Sequence, residues 1–324
     1  MMKRVLTNLM LGVMTAAATM VAVEARAEPA TTVFLNGTPT PVFFNDGDSF
    51  RVVGGPMDGM KTRLAGYNTL ESYGKAHQWG AWTAQELFIL AKMGTYNARR
   101  GVWHCTSDMK TDTYGRTLWV CPDLVVDQLE KGLAHVLSVS SSPGDPKYVE
   151  AMHKAQEAKR GIWAKGIPDF ILTSLHSIDE SATEDGTYNR LVSTKDGHSL
   201  KWIHDEKYSE CQTVCDDGAE EGPRLDAALR ALKGDPTLAG IIKGESGTRP
   251  YDDEALMIIA SDYARKKPLD RHMKKADHLA LFMKVLDGLG QKGELGGRTP
   301  NIPACMIYVD FQRRFGGGRA ACLK

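Results

Sequence analysis

Asp46-Gly47-Asp48-Ser49-Phe50, Thr62-Arg63-Leu64 and Asn68-Thr69-Leu70-Glu71 follow one another along a short stretch of the chain, and the fold is read outward from them. Between Thr31 and Leu64, short apolar or β-branched runs are broken by Asn36-Gly37, Gly47 and Gly54-Gly55, the pattern of three strands joined by tight turns. Val33 and Leu35, Val42 and Phe44, and Phe50 and Val52 each recur at strand period. The same stretch carries chemistry. Phosphodiester hydrolysis needs a hard cation on the phosphate, a base for the water, and positive charge where the phosphorus centre accumulates negative charge. Asp48, Glu71 and the pair Arg63 and Arg116 supply those residue types in turn.

Beyond Glu71, Trp82, Leu87, Leu90 and Ala91 recur at helical spacing and predict a helix over Trp79–Met93. Residues 102–105 and 117–121 predict a strand pair around a polar connection. Helices are expected at Val125–Lys131 and Tyr148–Arg160, the second ending at Gly161-Ile162-Trp163. Three strands, a helix, two strands and a helix is the order of a five-stranded Greek-key barrel of the OB type.

Taken in order, Asp46-Gly47-Asp48, Thr62-Arg63-Leu64, Thr69-Leu70-Glu71, Tyr114-Gly115-Arg116, Gly132-Leu133-Ala134 and Arg160-Gly161-Ile162-Trp163 resemble the thermonuclease (staphylococcal nuclease-like) family over residues 31–164. The resemblance implies an α+β fold built on an OB-type barrel with packed helices. It also implies one Ca²⁺ ion, with Asp48 as a ligand, Thr69 lending its carbonyl, and Asp46 supporting the site from behind. Glu71 takes the place of the family's general base, and Arg63 and Arg116 that of its phosphate-binding arginines, whose donor forks suit phosphate oxygens. Tyr114 and Lys75 are the candidates for further substrate contacts. DNA or RNA is the implied substrate, cleaved to leave 3′-phosphates.

The chain departs from the family in two places. Asn68 stands where the prototype has an aspartate ligand; an amide oxygen still coordinates calcium but brings no charge, so weaker or altered metal binding is expected. Ser138 and Ser140 stand where two prototype tyrosines line the nucleotide pocket. Trp79, Trp82, Tyr73 and Tyr148 are alternative stacking platforms, although packing explains each of them as well. These departures support a rival reading, a nuclease-like module that binds nucleic acid or protein without turnover.

The ends of the chain set its surroundings. Lys3-Arg4, an apolar run from Val5 to Val23 and Ala25-Arg26-Ala27 read as a secretory leader over residues 1–27, giving an exported, periplasmic or secreted protein. With 40 basic and 40 acidic residues there is no global field to hold a polyanion, so any nucleic-acid contact must be local. Six cysteines in an exported chain favour three disulfides; Cys105 and Cys121 flank the strand pair and are natural cross-strand partners, the other pairings staying open. The domain expected over residues 28–165 is followed by a connector over 166–200, then a mostly helical, disulfide-stapled region over 201–324. His198, His204, Cys211 and Cys215 miss the common zinc-finger spacings.

Overall fold

A computed structural model describes residues 31–180, 187–216, 218, 222–245, 249–296, 300–309 and 320–323. The expected leader lies outside these residues. In chain order the strands and helices are β1 (Thr31–Leu35), β2 (Thr38–Asp46), β3 (Ser49–Val52), β4 (Thr62–Leu64), β5 (Gly66–Thr69), β6 (Ala76–Gln78), α1 (Ala84–Arg100), β7 (Trp103–Cys105), β8 (Thr117–Trp119), α2 (Pro122–Glu130), β9 (Ala134–Leu137) and α3 (Pro146–Glu157). They continue with β10 (Phe170–Ser174), β11 (Thr187–Ser193), β12 (Ser199–His204), β13 (Thr213–Cys215), α4 (Gly222–Gly234), α5 (Ala239–Ile242), α6 (Asp253–Ala264), α7 (Ala276–Gln291) and β14 (Cys305–Ile307).

The strand periods read from the sequence do face inward: Val33, Leu35, Val42, Phe44, Phe50 and Val52 are buried in one core with Leu64, Leu87, Trp119 and Trp163. The closed five-stranded barrel does not form. Hydrogen bonding gives a four-stranded sheet β3-β2-β1-β7 and two separate ladders, β4-β8 and β5-β9, and no sheet among the described residues closes on itself. The reason is local. β4 and β8 run parallel for three residues, and β3 meets β4 through an isolated Arg51–Lys61 bridge and hydrogen bonds such as Leu64 amide to Asp48 carbonyl and Thr62 hydroxyl to Phe50 carbonyl, without a continuous ladder. The predicted strand pair meets only at one antiparallel bridge, with Thr106 and Val120 exchanging amide hydrogen bonds at 2.9 Å, while β7 joins β1 and β8 joins β4. The Cys105–Cys121 disulfide nevertheless ties the two together.

Helix α1 starts five residues later than its apolar spacing suggests. Thr83 caps it through a reciprocal pair: its hydroxyl accepts from the Glu86 amide, and the Glu86 carboxylate accepts from the Thr83 amide. Trp79, left outside the helix, is buried and donates its indole N–H to the Gly166 carbonyl (3.1 Å), while Trp82 donates to the Ile162 carbonyl (2.9 Å). Both are packing residues, and so is Tyr148, buried against Gly66. The glycines of two family-like motifs also meet: the Ile162 amide donates to the Gly132 carbonyl, and a Cβ on Gly161, at φ +52°, would sit 2.0 Å from that oxygen.

The carboxy-terminal half differs most from expectation. Residues read as a connector form β10 and β11, which with β12 make an antiparallel sheet. Ile171 on β10 points into the first core, while its neighbours Phe170 and Leu172 point into a second one beside Leu225, Leu256 and Phe282 from the helices. One strand therefore serves two cores. The region from 201 on is mostly helical as expected, through α4, α5, α6 and α7, but it also adds strands: Cys215–Cys305 staples β13 to β14 at directly paired positions and β14 continues onto β6. Cys211–Cys322 is the third disulfide. Three disulfides suit an oxidising compartment, and no described helix is long and apolar enough to cross a membrane.

Candidate functional site

The Asp46-Gly47-Asp48 turn is aimed by close packing. A Cβ on Gly47 would lie 2.4 Å from the Thr69 methyl and 3.1 Å from the Gly94 backbone, so no other residue fits without displacing its neighbours. Tyr67 donates its hydroxyl hydrogen to the Gly47 carbonyl at 2.6 Å. A register shift between Phe44 and Asp46 turns the Asp46 side chain back over the turn, where it accepts from the Ser49 hydroxyl (2.7 Å) and the Asp48 amide (3.2 Å).

Asp48 lies at the centre of the site, 2% exposed. One carboxylate oxygen accepts from the Arg63 guanidinium; the other accepts from the Thr69 amide (2.7 Å) and the Thr69 hydroxyl (3.1 Å). The same guanidinium also donates to the Asn68 side-chain oxygen. Asp46, Asp48, Arg63, Asn68 and Thr69 thus form one network, as the sequence order implied. Burial, then the Asp48 charge, pushes Asp46 up to about 7. Burial works against the Arg63 charge, but Asp48, Asp46 and Glu71 outweigh it and hold Arg63 above its ordinary value.

Three residues that the sequence reading missed hold this network in place. Besides Tyr67, they are His135 and His77. His135, pushed down to about 4 chiefly by burial, is neutral. Its Nδ1 lies 2.9 Å from the Val136 carbonyl, which places the proton there and leaves Nε2 as an acceptor 3.4 Å from the Asn68 amide nitrogen. That nitrogen also donates to the Thr69 carbonyl at 2.7 Å. An amide, with two donors and one acceptor, matches these three neighbours as an aspartate would not. His77, 2% exposed and pushed down to about 3 by burial and then by His135, accepts the Glu71 amide N–H at 3.1 Å and pins the backbone that carries Glu71. A strand-period scan of Gly66–Thr69 marks Tyr67, but nothing local marks either histidine as a partner of the site.

The other expected residues fall in different places. Arg63 is paired in register with Leu118 on β8, and Arg116 stands one residue before that strand; strand alternation carried back from Leu118 puts Arg116 on the same side as Arg63. Arg116 rests on Asp112 (2.7 Å), and its guanidinium carbon lies 5.4 Å from the centre of the Tyr114 ring, which is 65% exposed. Lys75 is committed elsewhere, paired with Glu180 at 3.0 Å and over the Tyr308 ring at 5.1 Å. Tyr73 lies under Lys92, 3.7 Å from the ring centre. Ser138 and Ser140 bond across to the carboxy-terminal sheet: the Ser138 amide donates to the Gly197 carbonyl and the Ser199 amide to the Ser140 carbonyl, both at 2.8 Å.

No protein-family model matches this sequence, and no curated protein matches it. The geometry therefore carries the functional reading.

Among the described residues no group of three or more His, Cys, Asp or Glu side chains is placed to share a metal ion. The candidate set has two carboxylates, and its other oxygens are an amide and a backbone carbonyl. Its chemistry nevertheless suits a hard cation. Every donor is oxygen, and Asp46 beside Asp48 is a like-charge pair that Arg63 alone compensates in part, hence the raised Asp46. To admit a cation, Arg63 must release Asp48 and Asn68, and the Asn68 amide must leave the Thr69 carbonyl.

Proposed function

We propose that the protein is a phosphodiesterase of the nuclease type, acting on DNA or RNA outside the cytoplasm. One observation carries the reading: a buried Asp48–Arg63–Asn68–Thr69 network with Asp46 behind it, and Glu71 within electrostatic reach of Arg63. Asp48, the Asn68 side-chain oxygen and the Thr69 carbonyl would hold Ca²⁺, with Asp46 in support. When bound, the ion supplies Lewis-acid stabilisation of the phosphoryl oxygens. Glu71, held at its amide by His77, takes a proton from the attacking water. Arg63, freed from Asp48, and Arg116 share a face and grip the phosphate where negative charge develops. The open sheet β3-β2-β1-β7 and the ladders β4-β8 and β5-β9 around one core would serve as the scaffold for this site, and a leader at residues 1–27 would deliver the protein to the periplasm or the medium.

The rival, a binding module without turnover, draws support from the way Arg63 and Asn68 lock onto each other. Incubating the protein with single-stranded DNA in Ca²⁺ and in chelator, beside Glu71→Gln, separates the two. Cleavage that chelator stops and Glu71→Gln reduces at least about 100-fold is expected; binding without cleavage in every metal tried favours the module.

A further inference from the structure

The carboxy-terminal sheet adjoins the candidate site at Tyr114. Tyr114 lies close enough to Tyr188 on β11 for the two phenols to shift each other's titration, Tyr114 upward and Tyr188 downward, across the junction between the two halves of the chain. The Arg190 guanidinium carbon lies 5.5 Å from the Tyr188 ring centre, and the Lys201 ammonium lies 5.4 Å from it. Arg190 and Lys201 face each other in register on β11 and β12. Arg116 over Tyr114 continues the series toward β4, which carries Arg63, so the order along the strip is Arg116, Tyr114, Tyr188, and then Arg190 and Lys201 together. The backbone bonds from Ser138 and Ser140 to the sheet fix it against β9. Beyond Tyr188 the strip borders a cavity of about 390 Å³, with Ser140, Arg190 and Lys201 on one wall and Asp226, Asp253 and Glu254 on the other.

We propose that Tyr114, Tyr188, Arg190 and Lys201 form a binding strip for single-stranded nucleic acid that runs off the candidate site at Arg116. The direction of the path rests on the phosphodiesterase reading; the strip itself rests on the cation and ring geometry. The exposed Tyr114 ring and the half-buried Tyr188 ring give bases a sequence-tolerant stacking platform, and cations beside them track the phosphates. Lys201 is itself 2.6 Å from Glu254 and Arg116 is paired with Asp112, so the positive excess is small and stacking dominates. The carboxylate wall of the cavity repels phosphate and marks where the path ends. The charge balance and the reliance on stacking against tyrosine rings favour a flexible single strand over a duplex, whose bases are already stacked.

The test is fluorescence-anisotropy binding of a labelled oligothymidylate of about 15 nucleotides, by the whole protein in chelator and by Glu71→Gln in Ca²⁺. Tyr188→Ala is expected to weaken binding about tenfold, and Tyr188→Phe, which keeps the ring and controls for folding, to bind within about twofold of wild type. Arg190→Gln with Lys201→Gln is expected to make the slope of log affinity against log salt shallower by about 1. Unchanged affinity in Tyr188→Ala together with an unchanged slope in the double variant overturns the proposal, as does equal competition by duplex DNA or by anionic phospholipid vesicles. Failure of the wild type to cleave, with these binding differences intact, overturns the phosphodiesterase reading and leaves the strip standing. Cleavage by a wild type whose affinity none of the variants alters does the reverse.

Discussion

Replacing His77 by glutamine should remove most of the acid sensitivity of the region around Glu71. In the folded protein burial holds His77 down at about 3, whereas in the unfolded chain it titrates at its ordinary value near 6.5. Its folded value is depressed, so between those limits the unfolded chain takes up a proton that the native protein refuses. Stability is therefore lost as the pH falls below about 6.5, and the loss levels off near pH 3. At pH 5 the unfolded state gains about 2 kcal/mol, from 1.36 kcal/mol for each of the 1.5 pH units below 6.5. Glutamine does not titrate, and its side-chain oxygen can accept the Glu71 amide N–H in place of Nε2. Urea unfolding at pH 7.5 and pH 5, for both proteins, measures the effect. The wild-type midpoint should fall by about 0.5–1 M more than that of His77→Gln between the two pH values. Parallel falls would show that His77 is protonated in the native state or solvated within it, and would refute the assignment of a neutral, buried acceptor behind Glu71.

Other substitutions probe the rest of the site. Arg63→Ala leaves Asp48 buried beside Asp46 without the guanidinium, and should cost about 3–5 kcal/mol in urea unfolding at pH 8. Asn68→Asp sets two acceptors against each other at His135 and should raise that imidazole well above about 4, read by the pH dependence of its ring proton signals in NMR. The same variant adds a charge to the oxygen set and should bind Ca²⁺ more tightly than wild type by calorimetry. Cys105→Ala with Cys121→Ala releases a cross-link between positions 16 residues apart and should lower unfolding free energy by about 3 kcal/mol in the same assay.

Much of the amino-terminal half was legible because its signals are local. Strand period marked Val33, Val42, Phe44, Phe50 and Val52 as core, and tight turns at Asn36-Gly37 and Gly47 set the strand ends. Motif order singled out Asp48, Arg63, Asn68 and Thr69, but not that Arg63 pairs with Asp48 and Asn68. Helix α1 was misplaced because apolar spacing includes Trp79 and Trp82, whereas the capping pair of Thr83 and Glu86 decides where a helix starts. The closed barrel was overread, since a list of strands does not reveal that β4 and β8 pair for three residues only. Lys75 looked available from its proximity to Glu71, but its partner Glu180 lies 105 residues away, beyond any local signal. The carboxy-terminal sheet was missed for a related reason. Asp, Ser and Gly around 181–197 read as loop, while Tyr188, Leu191, Val192, Leu200 and Trp202 find their place only when paired across strands.

Strand β14 lies between β13 and β6, near the end of the chain yet laid against the segment that follows Glu71. This placement has a consequence for timing. An emerging chain can collapse its first core early, but Ala76–Gln78 has no strand beside it until residues 305–307 have been made and delivered and Cys215 has met Cys305. Backing for the loop that carries the proposed base is then among the last things acquired. In a reducing compartment that clasp stays undone. Under the proposed function, the site would reach full competence only in an oxidising compartment, away from its maker's own nucleic acid.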